Sequence, residues 1–170
     1  VSIRPLQAVA FTPTEFLIIN HSKNRTQFGS HTFTLISESQ LSTATASDLA
    51  PFKVVYMEPD WSSYTNLTNA MTALTTYVQN GGIAVINIAG NIGNGTDIAP
   101  GGVDYSRATT HNSESILLSS HPYITGVPYG GVALSTTNFN SWSSTDHGTL
   151  SGFPVDAEVV LQNSNGPSWV

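Results

Sequence analysis

Phe52-Lys-Val-Val-Tyr-Met-Glu-Pro-Asp60, a run with helical spacing over residues 64–79, and then Asn80-Gly-Gly-Ile-Ala-Val-Ile-Asn-Ile-Ala-Gly90 decide the fold. The order reads as strand, helix, two-glycine stop, strand. Leu67, Met71, Leu74 and Val78 recur at intervals of four, three and four, which makes one apolar stripe on a helix. Ser63 or Thr65 is placed to cap its start, and Gly81 to take the left-handed backbone past its end. Ile83 to Ile88 is nearly all β-branched or small, the composition of a strand buried on both faces. A strand–helix–strand unit requires a parallel sheet, and such sheets place their usable loops along one edge.

Working outward, Thr14-Glu-Phe-Leu-Ile-Ile-Asn20 reads as a first buried strand, followed by a polar loop over 21–31. Thr32 to Ile36 reads as a second strand, with a short helix over 36–46 as the other option, and Lys53 to Met57 is the third. Downstream, the Gly/Asn-rich stretch from Gly90 to Gly102 is assigned no element. His111 to Ser120 is expected to be a helix stopped by His121-Pro122, and Val132–Thr136 and Ala157–Leu161 are expected strands. Asn163-Ser-Asn-Gly-Pro167 is a turn, and Ser168-Trp-Val170 the start of a returning strand that is cut short. The expectation is one domain over residues 1–170, belonging to a longer polypeptide.

Composition narrows the functional classes. Only 9% of the 170 residues are charged, against roughly 25% in an average soluble domain. Ser, Thr, Asn and Gly supply the polarity instead, a surface that points to export and an extracellular or cell-surface location. The net charge of −6, with five basic residues scattered between Arg4 and Arg107, leaves no patch for a phosphate backbone and excludes nucleic acid as a partner. No apolar run approaches the roughly 18 residues of a membrane span. Cysteine is absent, which removes thiolate nucleophiles, thiolate-bound zinc and disulfides together. Asn20, Asn24, Asn66 and Asn94 each open an Asn-x-Ser/Thr sequon, the acceptor pattern of a glycoprotein.

Several residues invite a functional reading. Asn20, Glu58, Asp60 and Asn91 fall at the carboxyl ends of the best strands, where they would line one crevice for a sugar or a cation; Glu58 and Asp60 equally suit a turn into the helix. His121 joins that candidate set or, standing before Pro122, orders a turn through its ring nitrogens. The five histidines show no metal-ligand spacing, so neither a metal nor any other cofactor is implied. Asp146-His147 is an adjacent acid–base pair, but neighbours on an extended segment point to opposite sides, and no Gly-x-Ser-x-Gly elbow is present. Trp61, Phe139 and Trp142 suit stacking on glycans or protein surfaces, or closure of the core beneath a loop.

Phe52-Lys-Val-Val-Tyr-Met-Glu-Pro, Leu74-Thr-Thr-Tyr-Val-Gln-Asn-Gly-Gly82, His121-Pro-Tyr-Ile-Thr-Gly126 and Ala157-Glu-Val-Val-Leu-Gln-Asn-Ser-Asn-Gly-Pro-Ser-Trp-Val170 occur in an order that resembles the class I glutamine-amidotransferase-like superfamily. The nearest likeness is to its non-catalytic relatives in secreted multidomain proteins. The resemblance implies a three-layer α/β, flavodoxin-like fold with a mainly parallel sheet and a late antiparallel extension. Enzymes of that superfamily carry a cysteine on the turn after the strand matched by Ile83–Ala89, and a His-x-Glu pair later. Here the turn reads Ala89-Gly-Asn-Ile-Gly93 and no His-x-Glu occurs. The expected function is therefore a non-catalytic, exported structural or interaction module of a surface or self-assembling protein. A carbohydrate-binding module and a hydrolase using the strand-end crevice are the competing readings.

Overall fold

A computed structural model describes residues 14–20, 31–57, 64–88, 93–111, 113–126, 132–141 and 146–169. The chain divides into two compact units, with the boundary between Ile88 and Ala89. The first contains β1 (Phe16–Asn20), β2 (Phe33–Ser37), α1 (Glu38–Leu41), α2 (Ala46–Leu49), β3 (Val54–Met57), α3 (Thr65–Gln79) and β4 (Ile83–Ile86). Its four strands are all parallel, in the order β2-β1-β3-β4. The expected unit is present: Val54 pairs with Ile83 and Tyr56 with Val85. Strand, helix and strand thus follow the 52–90 reading.

Register and burial show which face carries the core. Leu17 lies level with Val55, and Ile19 with Ile36 and Met57, so these five share one face of the sheet. All are buried. The opposite face carries Phe16, Ile18, Phe33, Leu35, Val54, Tyr56, Ile83 and Val85, among which Leu35 and Ile83 are exposed. Ile83 is 53% exposed because β4 stands at the end of the described sheet. The expectation of a strand buried on both faces is thereby corrected. Of the inner strands, β1 buries residues on both faces, with Leu17 and Ile18 at 0% and 1%, while β3 buries Val55 and Met57 on one face and leaves Val54 and Tyr56 half-buried on the other.

The helices follow from local chemistry. Two capping boxes start α1 and α2: Ser37 Oγ accepts from Gln40 N while Ser37 N donates to Gln40 Oε1, and Thr45 pairs with Asp48 in the same way. Both short helices pack against α3. In α3 the buried residues are Leu67, Ala70, Met71, Leu74 and Tyr77, so the stripe closes on Tyr77 and leaves Val78 half-buried. Its start also departs from expectation. Tyr64 occupies the cap position and its side chain does not cap the helix, Thr65 is already helical, and Ser63 lies outside the described residues.

The two glycines after α3 do different things. Gly81 has φ +92°, the left-handed conformation that ends the helix. Gly82 makes room, because a Cβ there would run into the Tyr77 ring. That ring is held by its hydroxyl, which donates to Phe52 O at 3.1 Å. Burial pushes the Tyr77 phenol above its ordinary value of 10.0.

The second unit contains β5 (Gly95–Ala99), β6 (Val103–His111), β7 (Ser115–Ile116), α4 (Pro122–Thr125), α5 (Thr136–Asn140), β8 (Asp146–Ser151), β9 (Leu161–Asn163) and β10 (Gly166–Trp169). They form two antiparallel sheets, β5-β6-β8 and β10-β9-β7. Antiparallel pairing was expected late in the chain, but as an extension of the parallel sheet; it occurs in sheets of its own. Ile124, Val160 and Leu161 make a buried cluster, with Ile116 and Phe139 against it.

Four further expectations are corrected in this unit. The 111–120 segment is not helical: β6 runs to His111 and β7 pairs with β9, while Leu117 N donates to Val160 O. Val132–Thr136 is not a strand; it leads into α5, which starts with a Ser135–Asn138 capping box. Of Ala157–Leu161 only Leu161 enters a strand. The Gly/Asn-rich 90–102 segment contains β5, bent at Asp97 (φ 52°), whose N–H donates to Asp104 Oδ1. The expected returning strand is present as β10, with Gly166 opposite Asn163 and Trp169 opposite Leu161.

Leu74 is fully buried, so Leu74→Ala should lower unfolding stability by about 2–5 kcal/mol. Gly82→Ala should destabilise by about 1–3 kcal/mol through displacement of Tyr77. Gly93→Ala, where an added Cβ meets nothing within 4 Å, should stay within about 0.5 kcal/mol. Urea unfolding followed by circular dichroism compares the three.

Candidate functional site

In an open parallel sheet the natural crevice lies beyond the carboxyl ends of the strands, where the chain changes direction across the sheet. Here β1 leads to β2 on one side and β2 leads to β3 on the other, so that point lies between β1 and β3. Asn20 ends β1, as expected, level with Ser37 at the end of β2. Asn87 follows β4 and donates its N–H to Met57 O at 2.8 Å. This edge therefore carries Asn20, Ser37 and Asn87. The Ser37 side chain is committed to the start of α1, where it accepts from Gln40 N at 3.2 Å. Glu58, Asp60, Trp61 and Asn91 lie outside the described residues.

His121 belongs to the second unit and has a defined local task. Its Nδ1 accepts the Tyr123 N–H at 3.3 Å, and Pro122 occupies the first position of α4, so the His-Pro pair starts a helix turn. Its ring stacks with Tyr123 at 5.2 Å, and Nε2 lies 3.8 Å from Glu158 Oε2. The turn-ordering alternative is the one this geometry supports. Phe139 packs against the Ile124–Val160–Leu161 cluster, which is core closure. Trp142 lies outside the described residues.

Glu114 was not singled out from the sequence, yet it is the one buried acidic residue among those described, at 2% exposure. The Ser168 hydroxyl, on β10, donates to its Oε2. Its backbone is clamped by Asn140, which accepts Glu114 N at 2.7 Å on Oδ1 and donates to Glu114 O at 3.0 Å through Nδ2. One amide side chain thus replaces two backbone partners at the entry to β7, joining the end of α5 to that strand. A second buried polar residue, Asn163, donates to Gly148 O at 3.3 Å and accepts Asn165 N at 2.7 Å, closing the last turn and linking β9 to β8. The signal for Glu114 was weak in sequence because a lone acid in a Ser-rich run reads as solvated.

At the amino end of the parallel sheet, Lys53 Nζ donates to Glu15 Oε1 at 2.9 Å, and His31 Nδ1 lies 3.8 Å from Oε2. The Lys53 hydrogen bond and charge hold the Glu15 carboxyl below its ordinary 4.5. Because the folded value is depressed, the contribution to stability is present above 4.5 and fades as pH falls through the lowered value. All three groups are open to water, so this is a surface pair.

Among the described residues no three of His, Cys, Asp and Glu group as a metal site, and no helix is long and apolar enough to cross a membrane. Of the sequons, Asn66 sits in the first turn of α3, Asn94 is exposed before β5, Asn20 ends β1, and Asn24 lies outside the described residues. Compared with protein-family models, curated proteins and solved structures, the chain has no significant match.

Removing Asn140 leaves two backbone groups of Glu114 without their partner, so Asn140→Ala should cost about 1–3 kcal/mol in denaturant unfolding. In Lys53→Ala the Glu15 carboxyl should titrate closer to 4.5 by NMR, and the difference from the native chain should shrink in high salt.

Proposed function

We propose that this chain is a non-catalytic, exported structural or interaction module, one unit of a surface or self-assembling protein, built on a scaffold of the class I glutamine-amidotransferase-like kind. The observation that carries the proposal is the parallel order β2-β1-β3-β4 in a chain whose next residues, Ala89-Gly-Asn-Ile-Gly93, include no thiol. That order is the opening of the doubly wound arrangement 2-1-3-4-5, in which a helix layer lies on each face of the sheet. In this reading the scaffold is three-layered and flavodoxin-like, and the reactive group of its catalytic relatives is missing from the place where the fold would present it.

The committed polar side chains support the same reading. Ser37, Thr45, His121, Asn138, Asn140 and Asn163 each bond to backbone groups that start helices, enter strands or close a turn. A chain with only 9% charged residues favours association, since few charges need to be stripped of water when a partner docks. The partners expected are protein subunits or neighbouring domains, copies of itself included.

Fractionation of the source cells followed by light scattering under native conditions tests this. The chain should be found in the surface or extracellular fraction, within an assembly much heavier than its own 18.1 kDa. Recovery from the cytosolic fraction as a free monomer would overturn the proposal.

A further inference from the structure

We infer that Asn94 is an acceptor for an N-linked glycan on the folded chain, and that the sequon at Asn66 is closed by the fold. The inference rests on the exported role proposed above. The two sequons have the same chemistry and a buried middle residue each, Gly95 and Leu67, but Gly95 has no side chain to draw out of a core. Asn94, Gly95 and Thr96 stand where the chain enters β5, and both Asn94 and Thr96 are exposed, so the amide and the hydroxyl that a transferase must read are open to it. Asn94 Oδ1 accepts the Arg107 N–H at 2.8 Å, which orients the amide group. Glycosylation uses the other atom. A bond forms between Nδ2 and the anomeric carbon of a lipid-diphosphate-linked sugar, the bond from that carbon to the phosphate breaks, and Nδ2 gives up one proton. The carbonyl oxygen keeps its lone pairs, so the bond to Arg107 survives modification.

Asn66 is itself half-buried, and its obstacles are greater. It lies in the first turn of α3, and the middle residue of its sequon, Leu67, is part of the core at 5% exposure. Its Nδ2, the atom that would carry the sugar, points to Glu38 Oε2 at 3.5 Å. The Thr68 hydroxyl is occupied in donating to Thr65 O at 3.1 Å. Drawing this sequon into a transferase requires the start of α3 to unwind and Leu67 to leave the core.

The purified, folded chain is incubated with a single-subunit oligosaccharyltransferase and its lipid-linked donor, and site occupancy is read by mass spectrometry. Asn94 should be modified at least tenfold faster than Asn66, and Asn94→Gln should remove that glycan without exposing Asn66. A synthetic peptide of residues 60–72 should be modified at Asn66 at least tenfold faster than the same site in the intact chain, which assigns the protection to the fold. An unmodified Asn94, or equal rates at Asn66 in peptide and folded chain, would overturn the inference. Because the reaction uses purified protein, its failure is separable from a failure of the export reading, which cell fractionation decides.

Discussion

The inner strands of a parallel sheet need both faces shielded from water, and in this chain that constraint falls on β1 and β3. Leu17, Ile18 and Val55 are at or below 1% exposure, deeper than anything on β2 or β4. The rest of the first unit serves this burial. α3 turns Leu67, Met71, Leu74 and Tyr77 inward, and the two glycines behind it return the chain at the level where Ile83 N donates to Lys53 O at 3.1 Å. Were that return one residue longer or shorter, the alternation would carry Ile86 and Ala84 to the opposite face and lose the match with Met57 and Val55. The Gly81 backbone and the space at Gly82 therefore set the register of the sheet as well as the end of the helix.

How far the architecture could be read from residues alone depended on the range of the interactions. In the first unit β1, β3, α3 and β4 declare themselves through short apolar runs, a helical stripe and a Gly-Gly stop, all local signals. In the second unit the deciding partners are distant. Ile116-Leu117-Leu118 is a contiguous apolar run, which fits a helix or a strand equally; what makes it extended is pairing with β9 and the Val160 carbonyl, which no local pattern reveals. The candidate site divides in the same way. Asn20 could be placed because a strand end is a local feature. The burial of Glu114 could not, because it is enforced by Asn140, 26 positions away, and Ser168, 54 positions away.

The abundance of Ser, Thr and Asn has a structural explanation beyond solubility. Apart from α3, the described helices are four or five residues long, too short to persist on their own propensity. At the start of each a side chain answers a backbone N–H: Ser37 for α1, Thr45 for α2, His121 for α4 and Asn138, reaching back to Ser135 N, for α5. Three of the four use the reciprocal box, in which the third helical residue bonds back to the cap. A chain that builds connections from such turns requires hydroxyls and amides at many positions, and these occupy places where a more charged protein would carry Lys or Glu. Low charge is thus partly a consequence of how the connections are made.

Glu114 stands apart from this economy of neutral groups. A buried carboxylate is a poor source of net stability, because removing its charge from water offsets much of what its hydrogen bonds contribute. Its effect is on alternatives. With Ser168 donating to the carboxylate and Asn140 holding both backbone groups, β10 and α5 are each tied to one position at the entry of β7. A slip of β10 by one residue would turn the Ser168 side chain to the other face of its sheet, leaving the carboxylate without that donor. The strand at stake contains Pro167 and shifts its register against β9 beside it, so backbone hydrogen bonds alone define its position weakly. Placing a demanding acceptor opposite Ser168 supplies the missing definition, and it does so in a hairpin whose backbone pairing is irregular.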